Sequence, residues 1–185
     1  MRSASYGGPQ RVRRRVWPRQ ATPFELALTG TLSISGPRPG EIYALDWSAV
    51  YLDVEKPFFR IERTWYSKGF RFYPPKTAAG RRTVPISASL ADVLRAHRAR
   101  SGGVGLVFPN QAGTPLNKAN VRKRVWIPLL TRAKVRYRDL YSLRWTFVSL
   151  VWASGEVPFN VSRAIGATRT GKGNASEGFA EAPRR

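Results

Sequence analysis

Apolar residues recur along this chain in two rhythms, one helical and one alternating, and together they divide it into elements. From Thr22 to Thr29, Phe24, Leu26, Ala27 and Leu28 predict a short helix with Thr22 as its cap and Pro23 at the first helical position. Gly30 to Gly36 is expected to break it. A helix opening at Glu41 puts Ile42, Ala44 and Leu45 on one face, followed by Trp47 and a turn through Asp53 to Pro57. Phe58 to Tyr66 is rich in aromatic and branched residues with partial alternation, and Lys68-Gly69 reads as a hairpin turn into Phe70 to Tyr73. After a loop over Pro74 to Gly80, Arg82 to Ile86 reads as a third strand, which makes a small antiparallel sheet.

The helical rhythm then returns. Ser87 or Ser89 caps a helix whose buried face is Leu90, Val93 and Leu94, with Asp92 as a capping-box partner for Ser89. His97 lies on this helix among Arg95, Arg98 and Arg100 and is expected to be a half-exposed structural residue. Gly102 to Gly105 ends the helix, Leu106-Val107-Phe108 reads as a short buried strand, and Asn110 to Pro115 as a turn. Asn117 caps a long helix that turns Val121, Val125, Leu129 and Leu130 inward, and Pro128 is expected to kink or end it. Leu143, Phe147, Leu150 and Val151 form the apolar face of a further helix, and Val157 to Ile165 a last short one. The pattern predicts an α+β fold, mostly helical with a three-stranded antiparallel sheet. One domain over 21–167 is expected, between a flexible basic arm over 1–20 and a disordered tail over 168–185 rich in Gly, Ala, Ser, Thr and Arg.

Charge adds a partner to this picture. Thirty-two Lys and Arg against 11 Asp and Glu give a formal net charge of +21, so the chain attracts polyanions, nucleic acid first among them. Charge alone does not separate DNA from RNA. The outward face of the long helix carries Lys118, Arg122, Lys123 and Arg124, a density that suits backbone phosphates. With no cysteine and one histidine, disulfides, thiolate metal sites, cysteine nucleophiles and most zinc sites drop out. No apolar run approaches a membrane span and the N-terminal arginines precede no hydrophobic segment, so a cytoplasmic protein is expected.

Two arginines stand apart from this general charge. Arg38 lies between Pro37 and Pro39 at a stiff turn, which reads either as an ordinary helix start with a surface arginine or as a guanidinium fork aimed at one place, whose fitting target in so basic a chain is a phosphate. Arg144 follows Leu143 at the edge of an apolar face, so the core holds its stem while the fork seeks an anion.

Arg38-Pro39-Gly40-Glu41 with Leu45 and Trp47, Lys76 in Pro74-Pro75-Lys76-Thr77 followed by Arg81-Arg82-Thr83-Val84-Pro85-Ile86, and Tyr141-Ser142-Leu143-Arg144 followed by Thr146-Phe147 occur in the order of a known family. Over about Phe24 to Gly166 the chain resembles the catalytic domain of tyrosine recombinases of the phage integrase type. The resemblance implies DNA integration and recombination of the kind mobile elements carry out, on double-stranded DNA and as an oligomer on that DNA. A tyrosine hydroxyl attacks the scissile phosphate, giving a 3'-phosphotyrosyl link and a free 5'-hydroxyl. Arg38 and Arg144 would neutralise charge on the nonbridging oxygens, Lys76 would protonate the leaving oxygen, and Arg81 and Arg82 would join the helix cations in DNA binding. No metal or cofactor is implied.

The departures fall at the chemical end. The histidine of H-x-x-R is Tyr141, a phenol of ordinary pKa about 10 and a poor base at neutral pH. The G-H position is Gly166-Ala167, no tyrosine follows Tyr141, and Ser176 stands where the family places its nucleophile. The expectation is a DNA-binding domain that lacks its own nucleophile and is inactive alone. The alternatives are an active enzyme with the tyrosine supplied in trans and a noncatalytic RNA- or ribosome-binding protein.

Overall fold

The computed structural model describes residues 17–34, 36–75 and 80–153. A helical turn, α1 (Trp17–Gln20), leads into α2 (Pro23–Ile34), where Thr22 and Glu25 satisfy each other's backbone N–H groups at 2.7 and 3.3 Å, a reciprocal cap. α2 does not stop at Gly30 as expected. Gly30 costs helix propensity, but it lies against Leu90, and burial of Leu28 and Leu32 carries the helix on to Ile34.

After α3 (Pro39–Tyr43) and a 3-10 turn at Trp47–Ala49 come β1 (Val50–Tyr51), β2 (Phe58–Ile61), β3 (Thr64–Tyr66), β4 (Arg71–Tyr73) and β5 (Arg82–Pro85). The three-stranded antiparallel sheet is present, but its members differ from the expected ones. It runs β1-β2-β5, with Phe59 opposite Val50 on one side and Val84 on the other. The stretch read as one strand over Phe58 to Tyr66 divides at Glu62-Arg63, and its second half pairs with β4 as a separate hairpin. Arg63 causes the division. Its Nε donates to the Ala44 carbonyl at 3.1 Å and its guanidinium lies 4.4 Å over the Phe72 ring, which ties the chain to α3 at the point where it leaves the sheet.

β2 alternates inward Phe59 and Ile61 with outward Arg60, as a one-sided sheet requires. The inner face packs with α2 and with α4 (Ala88–Ser101) around Leu28, Leu90, Leu94, Val107, Phe108 and Leu129. Ser87 caps α4 by accepting from the Leu90 N–H, whereas Asp92 pairs with Arg95 instead of completing a capping box. His97 is buried, not half-exposed: it stacks on Phe108 at 5.2 Å and its Nε2–H donates to the Val107 carbonyl at 2.7 Å. The segment Leu106-Val107-Phe108 forms no strand, only a bridge from Leu106 to Asp46, and is held by the Val107 N–H on the Leu45 carbonyl.

Asn117 caps α5 (Lys118–Val121) through the N–H groups of Ala119 and Asn120. A π turn at Arg122–Trp126 follows, and the helix continues unbroken as α6 (Ile127–Arg132). Pro128 therefore neither ends nor interrupts it. Proline lacks an N–H and crowds the carbonyl four residues back, and the wider π turn just ahead of it, with the Ile127 N–H on the Arg122 carbonyl, accommodates both defects. The last described element is α7 (Ser142–Ala153), in which Leu143 packs against the core. The segment Val157 to Ile165 read as a helix lies outside the described residues.

Candidate active site

The site grows from the start of α3. Arg38 is the N-cap with extended backbone, φ −71° and ψ 144°, a conformation its flanking prolines favour. Glu41, in the first turn, folds back: Oε2 accepts the Arg38 backbone N–H at 2.8 Å and Oε1 accepts Arg38 Nη1 at 3.1 Å. The Glu41 carboxylate thus grips Arg38 by its backbone and by its head, leaving the arginine side chain 44% exposed. Between them, Gly40 is a matter of space. A Cβ there would stand 2.8 Å from the Trp65 carbonyl oxygen, so glycine is what lets α3 lie against β3.

Arg82 on β5 closes on the same carboxylate, Nη1 to Oε1 at 3.1 Å and Nη2 to Oε2 at 2.8 Å. Both side chains are almost wholly buried, 6% and 7% exposed. Burial pushes the Glu41 carboxyl up, but Arg82, by hydrogen bond and charge, and then Arg38 outweigh it and hold it below the ordinary carboxylate value. Glu41 is therefore ionised at neutral pH.

Arg144 arrives from the first turn of α7, and its Nη1 donates to the Gly36 carbonyl at 2.6 Å. It is buried, and burial lowers its pKa from the ordinary arginine value; Tyr141 and Glu41 act upward on it, Arg38 and Arg82 downward. An arginine starts so high that it stays a cation. Gly36 has φ +64°, and a Cβ there would fall 2.3 Å from the Phe147 ring, so the loop before Arg38 is seated directly under α7. Tyr141, one turn before Arg144, is exposed and meets Trp145 edge-on at 6.4 Å.

Arg38 and Arg144, named from the sequence, are thus brought into one electrostatic cluster, with Tyr141 beside them. Arg82, expected to bind DNA, is in the cluster too, with its side chain buried and its guanidinium on Glu41 and on the Gly80 carbonyl. Sequence reasoning took Glu41 as the opening residue of a helix and as part of the Arg38-Pro39-Gly40-Glu41 motif and missed it as the hub, since nothing local links it to Arg82. Arg81, Lys118, Arg122, Lys123 and Arg124 are exposed, and Arg122 Nε donates to the Tyr137 hydroxyl at 2.9 Å. Lys76, Gly166-Ala167 and Ser176 lie outside the described residues, and among the described residues no group of acidic or histidine side chains could hold a metal ion. On α3, the Tyr43 hydroxyl is buried without a hydrogen-bond partner among the described residues; burial, then Asp139, raises its pKa.

No family model matches the chain. It is 31% identical over 157 residues to a tyrosine recombinase XerC-like protein of Caldanaerobacter subterraneus subsp. tengcongensis, an alignment that covers 71% of this chain and 39% of the relative. It is 33% identical over 155 residues to an integrase of Streptomyces ambofaciens, covering 74% of this chain and again 39% of the relative. The chain therefore spans about two-fifths of the length of the curated relatives it matches. Among solved structures its fold is similar to that of the XerA recombinase, with a TM-score of 0.68 over 89% of this chain and 56% of that one at 16% identity. The Tn1549 transposon integrase in complex with transposon right end DNA gives 0.64 over 77% of this chain and 50% of that one at 18% identity. The XerH site-specific recombinase bound to difH substrate gives 0.59 over 81% and 40% at 19% identity. With the motifs in their order and these two relatives matched over more than seven-tenths of its length, the chain belongs to the tyrosine recombinase family.

Proposed function

We propose that this chain binds double-stranded DNA through its basic helix and seats one backbone phosphate against Arg38 and Arg144, as the catalytic-type domain of a site-specific recombinase or integrase. The observation that carries the reading is the convergence of Arg38 and Arg144, far apart in sequence, on one charge cluster anchored by a buried glutamate. Guanidinium forks placed this way stabilise charge that builds on nonbridging oxygens as a phosphodiester is attacked. Lys76 would protonate the departing 5'-oxygen, with Lys118, Arg122, Lys123, Arg124 and Arg81 holding the flanking backbone. DNA is favoured over RNA because the similar Tn1549 and XerH structures are DNA complexes, and assembly on DNA because a similar lambda integrase structure is a tetramer on a Holliday junction.

No tyrosine follows Tyr141 in these 185 residues, and on that ground we infer that the chain does not cleave alone. A nicked suicide duplex tests this: the purified chain should bind it and form no covalent adduct, and an adduct resolved on a denaturing gel would sink the inference. A second reading, with the nucleophile supplied in trans, has a distinct signature. Mixing the chain with a full-length partner whose own Arg38 and Arg144 counterparts are replaced should restore cleavage, and no rescue rejects it. Tighter binding to structured RNA than to duplex DNA at equal salt would overturn the DNA reading itself.

A further inference from the structure

Arg82 raises a question that neither DNA contact nor stability answers. Its guanidinium is withdrawn from solvent, and a buried ion pair is in general a weak source of net stability, because desolvation of both charges offsets their attraction. Glu41, however, has a conflict to resolve. Its carboxylate fixes Arg38 at the head of α3, yet a carboxylate beside Arg38 also cancels the charge that a phosphate would meet. The geometry separates the two effects. Each oxygen of Glu41 accepts one hydrogen bond from Arg38 and one from Arg82, so the anion that grips Arg38 is neutralised from its other side. Arg82 thus adds a positive charge beside the carboxylate that borders Arg38, and without it Glu41 would offset Arg38 alone.

We propose that Arg82 is a positioning residue of the phosphate site: by neutralising Glu41 it lets that carboxylate hold Arg38 in place without cancelling the cluster's charge. This rests on the phosphate-seat reading above. Arg82 itself touches no substrate in this account.

The test uses orthovanadate, a mimic of five-coordinate phosphate, titrated into the full chain and followed by 51V NMR at fixed ionic strength. Arg38→Gln and Arg144→Gln should each weaken binding by about tenfold or more, which reports on the phosphate seat alone. If neither does, the seat reading fails and this inference goes with it. Given that loss, Arg82→Gln should weaken vanadate by about tenfold, and adding Glu41→Gln should recover part of that loss, because the uncancelled carboxylate is gone while its hold on Arg38 is weakened. A double variant no better than Arg82→Gln alone, while Arg38→Gln and Arg144→Gln still lose binding, overturns the inference and leaves Arg82 a structural brace. Should Arg82→Gln not fold, Arg82→Lys decides. It keeps the charge and loses the fork, so vanadate affinity within about threefold of the parent supports the inference, and a loss as large as that of Arg38→Gln overturns it.

Discussion

At Gly36 a single hydrogen separates a working junction from a collision. An alanine methyl would enter the Phe147 ring and would also require the left-handed backbone that L-residues resist. Gly36→Ala should therefore destabilise the fold by about 2–4 kcal/mol, read as a lower urea midpoint with unchanged slope. Because the Gly36 carbonyl holds Arg144, the same change should weaken the site more than an equally destabilising change elsewhere in the core. His97 allows a different test. Burial lowers its pKa below 6.5, more than the hydrogen bond to Val107 raises it, and Arg100 lowers it further. The unfolded chain therefore binds the proton first. Stability should be fully present above pH 6.5 and decline as pH falls through the folded value, and the slope of urea midpoint between pH 6.5 and 5 should flatten in His97→Gln. Arg38 and Arg144 were legible at this scale because a proline-flanked turn and the edge of an apolar face each explain a held arginine locally. The link from Arg82 to Glu41 was not, since its chemistry exists only once β5 lies beside α3.

The same division between local and distant causes holds for whole elements. Caps were readable: Thr22, Ser87 and Asn117 each satisfy N–H groups within a turn of themselves. The helix through Gly30 was not, because what extends it is packing against α4. Gly30→Ala should raise stability by about 0.5–1 kcal/mol, as the added methyl meets Leu90 at 3.5 Å, an ordinary contact, and removes backbone freedom from the unfolded chain. A lower melting temperature for that variant would show that the α2–α4 interface has no room. The sheet gives the complementary lesson. A three-stranded sheet was expected and one is present beside a separate two-stranded hairpin, yet Val50–Tyr51 lies before the turn and was not expected as a strand, and the break at Glu62-Arg63 follows from the reach of Arg63 to Ala44, nineteen residues back. The π turn likewise lets the helix run past Pro128 where an early end was one expectation, since a helix packed through Leu129 and Leu130 gains more by widening than by ending.

For the whole molecule, the excess of positive charge sets how binding responds to salt. If the chain binds duplex DNA as proposed, its affinity should fall steeply with ionic strength, and the exposed Arg122, Lys123 and Arg124 should account for a defined part of that steepness. Replacing all three by alanine should lower the slope of log K against log salt by about 2–3, about equally for unrelated duplexes, as measured by fluorescence anisotropy. A slope unchanged within error would move the DNA face away from this helix. No described helix is long and apolar enough to cross a membrane.

The span of the contacts around Glu41 also orders events in time. Arg38 meets Glu41 three residues away, Arg82 joins across forty-one, and Arg144 reaches Gly36 across 108. Contacts between distant residues must wait for the larger loop to close. In refolding from urea, recovery of vanadate binding should therefore lag recovery of helical signal, because the last partner to arrive comes from the far end of the described chain.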